Sequence, residues 1–220
     1  MRVPGGLRVG VAALTITVLG LALAACGSEP RRDADEPSGN FPVDVSVASF
    51  PSRQRLADTS DLRLKVENTG KKTVPALAVT IYTGDTKAAG SFNMRSEQEG
   101  LADPNRPIWI LEEDFPRVLT PETPLTEVGK APSAGAETAQ TDTYDFGPVR
   151  PGESVDAVWR LTPVKAGTYT VHYEIAAGLY GKAKAVTADG GKVEGEFVVT
   201  VSDKPPKTHV TDSGKVETVN

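Results

Sequence analysis

The chain has one cysteine, Cys26, and two histidines, His172 and His209, in 220 residues. A single thiol forms no disulfide within the chain, so the fold must rest on its hydrophobic core. Basic clusters are also missing. There are 24 Lys and Arg against 29 Asp and Glu, for a formal charge of −5. The two cations before Cys26 are Arg2 and Arg8, and no acid precedes it, so the part after it carries a charge near −7. That balance excludes nucleic acid, which needs a basic surface to neutralise phosphate. It also excludes lying flat on anionic lipid. No sustained helical period appears after residue 26.

What is present begins at the first residue. Met1–Arg8 carries two arginines, and Val9–Ala25 runs 17 residues without a charge. This is a basic segment followed by an apolar one, short for a spanning helix, which needs about 20 residues. It ends in Leu23-Ala24-Ala25-Cys26, which resembles the lipobox of bacterial lipoproteins. The resemblance implies a signal peptide over residues 1–25, a diacylglyceryl group on the Cys26 sulfur, and cleavage before Cys26. It places the protein on the extracytoplasmic face of the cell membrane. A single acyl chain binds a membrane only reversibly, with K on the order of 10⁴ M⁻¹, so stable anchoring takes two or more chains.

Residues 26–41 are polar and rich in Pro, Gly and Ser, and read as a disordered tether. From Pro42 the period is two. Leu62, Leu64 and Val66 alternate with Arg63, Lys65 and Glu67; Tyr169, Val171, Tyr173 and Ile175 alternate with Thr170, His172 and Glu174. Similar runs cover Val43–Val47, Leu77–Ile81, Val155–Leu161 and Phe197–Val201, with weaker ones at Thr141–Phe146 and Lys182–Val186. These are half-buried antiparallel strands, punctuated by turns such as Asn68-Thr69-Gly70 and Pro151-Gly152. Seven to nine short strands without a strong helix give an all-β chain: an immunoglobulin-like antiparallel β-sandwich over residues 42–203, with Trp159 as the largest expected core residue. Residues 84–136 read as a long irregular insert, broken by the apolar island Pro107-Ile108-Trp109-Ile110-Leu111. Residues 204–220 read as a polar extended tail.

Two segments carry a resemblance. Leu62–Gly70 (LRLKVENTG) is similar to the strand, Asn-x-Gly, strand opening of CARDB-like and related bacterial immunoglobulin-like domains. Val149–Ser154 (VRPGES), Trp159 and Ala166–Val171 (AGTYTV) resemble their later part. The whole resembles lipoproteins of high-GC Gram-positive bacteria. The resemblance implies extracellular binding or adhesion and supplies no catalytic residues.

Chemistry is sparse. His172 lies on the polar face of a strand and His209 in the tail. No Gly-x-Ser-x-Gly elbow occurs. A lipid-blocked thiol excludes a cysteine nucleophile and a blue-copper site, and zinc would have to rely on His172, His209 and acids. Gly178–Ala183 looks superficially like a phosphate loop. It lacks the first Gly, the Ser or Thr that would hold magnesium, and a following helix, so it reads as a strand-end turn. The most suggestive cluster is Glu112-Glu113-Asp114 beside Trp109, an aromatic flanked by acids. The expectation is therefore a membrane-anchored, non-catalytic binding, adhesion or structural module without cofactor or metal. It would present loops to an extracellular protein or glycan, with Trp109, Glu112, Glu113 and Asp114 as candidate partner contacts and Cys26 as the lipidation site. The competing expectation is a cell-envelope hydrolase that uses those acids.

Overall fold

The computed structural model describes residues 35–84, 92–94, 107–120, 137–140, 142–204 and 207–219. Every regular element among them is a strand. One sheet contains β1 (Gly39–Ser49), β3 (Ser60–Asn68), β5 (Phe92–Met94), β6 (Trp109–Leu111), β7 (Arg117–Val118), β10 (Ser154–Pro163) and β12 (Ala183–Val186). Its order is β12-β1-β3-β10-β6-β5, with β7 also paired to β10. The other contains β2 (Arg53–Arg55), β4 (Ala78–Thr83), β8 (Glu137–Gln140), β9 (Thr143–Asp145), β11 (Gly167–Ala176) and β13 (Val193–Ser202), in the order β2-β13-β11-β4-β9-β8. Pairing is antiparallel except at β1–β12, β2–β13 and β5–β6.

The two sheets close on one core because their alternation is in phase with the pleat. Leu62, Leu64 and Val66 of β3 and Val171, Tyr173 and Ile175 of β11 are all buried in the same apolar cluster. Fully burying a Val, Leu or Ile side chain contributes about 1.5–3 kcal/mol, which is how a chain without disulfides holds. Trp159 is buried as expected, with Tyr144 and Phe146 edge-on at 5.8 and 5.7 Å. The fold is the expected immunoglobulin-like β-sandwich.

Asn68 ends β3 and explains the Asn-x-Gly signature. It is 1% exposed. Its Nδ2 donates to the carbonyls of Lys72 (2.9 Å) and Val149 (2.8 Å), and its Oδ1 accepts from the Gly70 amide (2.9 Å). One side chain thus folds the turn and fastens it to the chain entering Arg150-Pro151-Gly152.

Three boundaries differ from expectation. Part of the expected irregular insert is sheet. Residues Trp109, Ile110 and Leu111 pair with Pro163, Thr162 and Leu161, and Val118 and Arg117 pair with Ala157 and Val158. All three residues of β6 are buried, so no apolar–polar alternation announces the strand. The expected tether is structured from Glu36, and β1 begins at Gly39 beside Ala183 of β12. The expected extended tail is a hairpin, β14 (Lys207–Val210) and β15 (Val216–Val219), closed by Gly214 donating to the Thr211 carbonyl. Asp212-Ser213-Gly214 supplies the turn, with Gly214 at φ 81°.

Candidate functional site

Cys26 lies outside the described residues. Trp109, expected as a partner contact, is instead a core residue with 0% exposure. Its indole N–H donates to Gln54 Oε1 at 2.8 Å. Phe92 stacks on it at 5.4 Å, and Phe50 and Tyr169 close the cage at 5.8 and 5.5 Å. Gln54 is itself buried on β2, and its Nε2 donates to the Pro51 carbonyl. Burying both polar ends of a tryptophan–glutamine pair costs little once they satisfy each other. The pairing was not visible in the sequence, because a lone glutamine in a three-residue strand carries no pattern.

The three acids after Trp109 fall on a turn and do not converge on one partner. Glu112 is half-buried and accepts from the Thr162 hydroxyl at 3.3 Å. Glu113 and Asp114 are exposed. Asp114 adopts φ 64°, and the buried Arg117 donates to both its carbonyl (3.2 Å) and its carboxylate (3.4 Å). Phe115, joined to Pro116 by a cis bond, is buried with the Arg117 and Arg160 guanidiniums 4.9 and 5.1 Å from its ring centre. Arg160 forms a two-pronged pair with Asp61 across β3, which raises its pKa. The segment therefore folds over β10 and holds Glu113 and Asp114 outward on a fixed turn. Among the described residues no group of three or more His, Cys, Asp or Glu is placed to hold a metal ion.

The histidines are surface groups. His172 stacks on Tyr82 at 5.1 Å, with Nδ1 3.7 Å from the Glu196 carboxylate. The Tyr82 hydroxyl donates to Glu174 at 3.0 Å; desolvation first, then this bond, raises the phenol pKa. His209 is exposed on the hairpin. The turn at Gly178–Lys182 is a strand-end turn, and its amides already hold an anion from their own chain. Glu36 accepts from the Tyr180 amide at 2.6 Å and the Ala183 amide at 2.8 Å. Beyond that turn a groove of about 610 Å³ opens between β12 and β13. Ile175, Ala185 and Val193 form its floor, and Glu194, Lys184 and Lys192 line its rim.

Against known proteins, no family model matches the chain and no curated protein matches it. Solved structures of similar shape exist. A CARDB domain from Pyrococcus furiosus, in complex with di-metal ions, is 11% identical, covers 74% of this chain and 94% of its own, and gives a TM-score of 0.39. Escherichia coli alpha-2-macroglobulin is 12% identical over 78% of this chain and 8% of its own, with a TM-score of 0.38. AvmM, which catalyses macrocyclization in alchivemycin A biosynthesis, is 12% identical over 76% of this chain and 92% of its own, with a TM-score of 0.39. A sandwich of this kind hosts unrelated roles, so function has to be argued from sites.

Proposed function

We propose that the chain is a lipid-anchored, extracytoplasmic binding or structural module, held to the membrane through Cys26 and presenting exposed turns of its sandwich to an extracellular protein or glycan. The observation that carries the reading is the position of the single cysteine. It stands directly after Leu23-Ala24-Ala25, at the end of an uncharged 17-residue run. The described fold makes no demand on a thiol, so Cys26 is left for attachment. The partner contacts in this reading are Glu113 and Asp114, whose turn is held rigid by Arg117, and the groove between β12 and β13. Trp109 takes no part, being enclosed.

Metabolic labelling with an alkyne fatty acid in a bacterium that processes lipoproteins tests the anchor. The chain takes up label and sediments with membranes, and Cys26→Ala loses the label. An unlabelled wild type, or a labelled Cys26→Ala, refutes the anchor. Hydrolysis of a glycan or peptide panel that is abolished by Glu113→Gln refutes the non-catalytic role.

A further inference from the structure

The outward face of the second sheet carries an ordered charge pattern. Along β13 the outward positions are Glu194, Glu196, Val198, Thr200 and Ser202. The parallel register places Arg53 of β2 beside Thr200 and Arg55 beside Ser202. On β11, Glu174 lies opposite Glu194, His172 opposite Glu196, Thr170 opposite Val198 and Thr168 opposite Thr200. The face therefore gathers Glu174, Glu194 and Glu196 at one end, with Lys184 and Lys192 on the groove rim beyond Glu194, and carries two exposed arginines at the other. Among the described residues neither arginine makes an ion pair. Between the ends lies Val198, 56% exposed, with threonines on the neighbouring strand. A hollow of about 700 Å³ lies between the arginines and Val198.

We propose that this face docks on a second copy of the same chain, about a two-fold axis that crosses β13 at Val198. The register carries the argument. Turning the face about that row brings Ser202 over Glu194 and Thr200 over Glu196. Arg55, beside Ser202, then faces the second copy's Glu194, and Arg53, beside Thr200, faces the second copy's Glu196. Each arginine is offset by one strand, about 4.8 Å, within reach of its side chain. Both ends match at once because the contact is isologous: each copy supplies the same patch. The two copies of Val198 meet at the centre, giving an apolar middle and a charged rim. Like charges at the acidic end, where Glu174 and Glu194 are cross-strand neighbours, repel in the lone chain and are relieved by the incoming arginines.

Size sets the strength. Ten residues of β13 span about 33 Å, and the four strands β2, β13, β11 and β4 about 19 Å. The face covers roughly 600 Å² per copy, or about 1,200 Å² in all, the lower end for a specific complex. The expected dimer is weak, concentration-dependent and sensitive to salt.

Sedimentation velocity on the full chain in a non-ionic detergent, across a concentration series, reads the dimer directly. Reversing Arg53 and Arg55 to Glu, or Glu194 and Glu196 to Arg, weakens the dimer about tenfold or more in each case. An equimolar mixture of the two charge-reversed chains associates again, since each then meets its complement. Val198→Cys in a Cys26→Ser background gives a symmetric cross-linked dimer on mild oxidation, whatever the charge variants do. A wild type that stays monomeric at every concentration overturns the proposal. So does a dimer indifferent to salt and to both reversals, or a Val198→Cys chain that does not cross-link.

Discussion

Replacing Asn68 with alanine isolates the contribution of one buried side chain to the joint between the two halves of the sheet. The asparagine, itself 1% exposed, makes three hydrogen bonds: one fully buried, to Val149, and two part-buried, to Lys72 and Gly70. Val149 keeps a second donor, the Val74 amide at 2.9 Å, so its carbonyl stays satisfied. The Lys72 carbonyl and the Gly70 amide lose the side chain that bound them. A lost buried bond costs about 1 kcal/mol, and a stranded polar group about 1–3 kcal/mol. The expected loss is about 3 kcal/mol, or about 6–12 °C in Tm for a domain of this size. Urea unfolding followed by tryptophan fluorescence measures it, since Trp159 and Trp109 both sit in the core. Asn68→Asp separates hydrogen bonding from volume. It keeps the acceptor for Gly70 but directs a carboxylate at two carbonyl oxygens, so at neutral pH it is less stable than Asn68→Ala. A loss below about 1 kcal/mol for alanine, or aspartate more stable than alanine, refutes this account of the motif.

Three further outcomes follow from the same reasoning. Trp109→Ala removes a caged aromatic and strands Gln54, so it lowers unfolding free energy by about 3–5 kcal/mol, whereas Glu113→Ala on the same insert changes it by less than about 0.5 kcal/mol; equal effects refute the division of the insert into core and surface. Glu36→Ala frees the Tyr180 and Ala183 amides and costs about 1–2 kcal/mol, read by the same melts and by faster amide exchange at Ala183. Tyr82 and Tyr173 have pKa values raised above the ordinary 10.0, Tyr82 by desolvation and then Glu174, Tyr173 by desolvation. Both stay protonated in the fold after they ionise in the unfolded chain, so their stabilising share is complete below pH 10 and is lost as pH climbs through the raised values. Tyr82→Phe and Tyr173→Phe should each remove a late step from the phenolate absorbance titration; unchanged late steps refute the assignment.

Strand identity was legible wherever one face meets water. Leu62-Leu64-Val66 and Val171-Tyr173-Ile175 announce their own orientation, because their polar partners lie half-buried on the opposite, water-facing side. Trp109-Ile110-Leu111 gave the opposite signal. Covered on both faces, it shows a bare apolar run, and the acids that follow lend it the look of a binding groove. The apolar island was visible, but its destination depended on Phe50, Phe92, Gln54 and Tyr169, which come from distant parts of the chain. Glu36 falls in a segment whose composition reads as tether, because a carboxylate capping two amides 144 and 147 residues away leaves no local trace. The acids Glu112, Glu113 and Asp114 stand together in the sequence, but the backbone turn keeps them from converging: Glu112 meets Thr162 and Asp114 meets Arg117. Cys26 rests on local motif alone.

The bonds from Glu36 also bear on how such chains behave when crowded. β12 is the outermost strand of its sheet, the kind of edge onto which another chain can zip. On it, the Ala183 amide is taken by Glu36, and Thr187 turns the chain away by donating to the Gly191 carbonyl at 3.0 Å. The acid and the turn thus shorten the stretch of backbone that this edge can offer to another strand. A short template slows open-ended strand addition at this edge, which favours molecules that stay discrete when concentrated side by side.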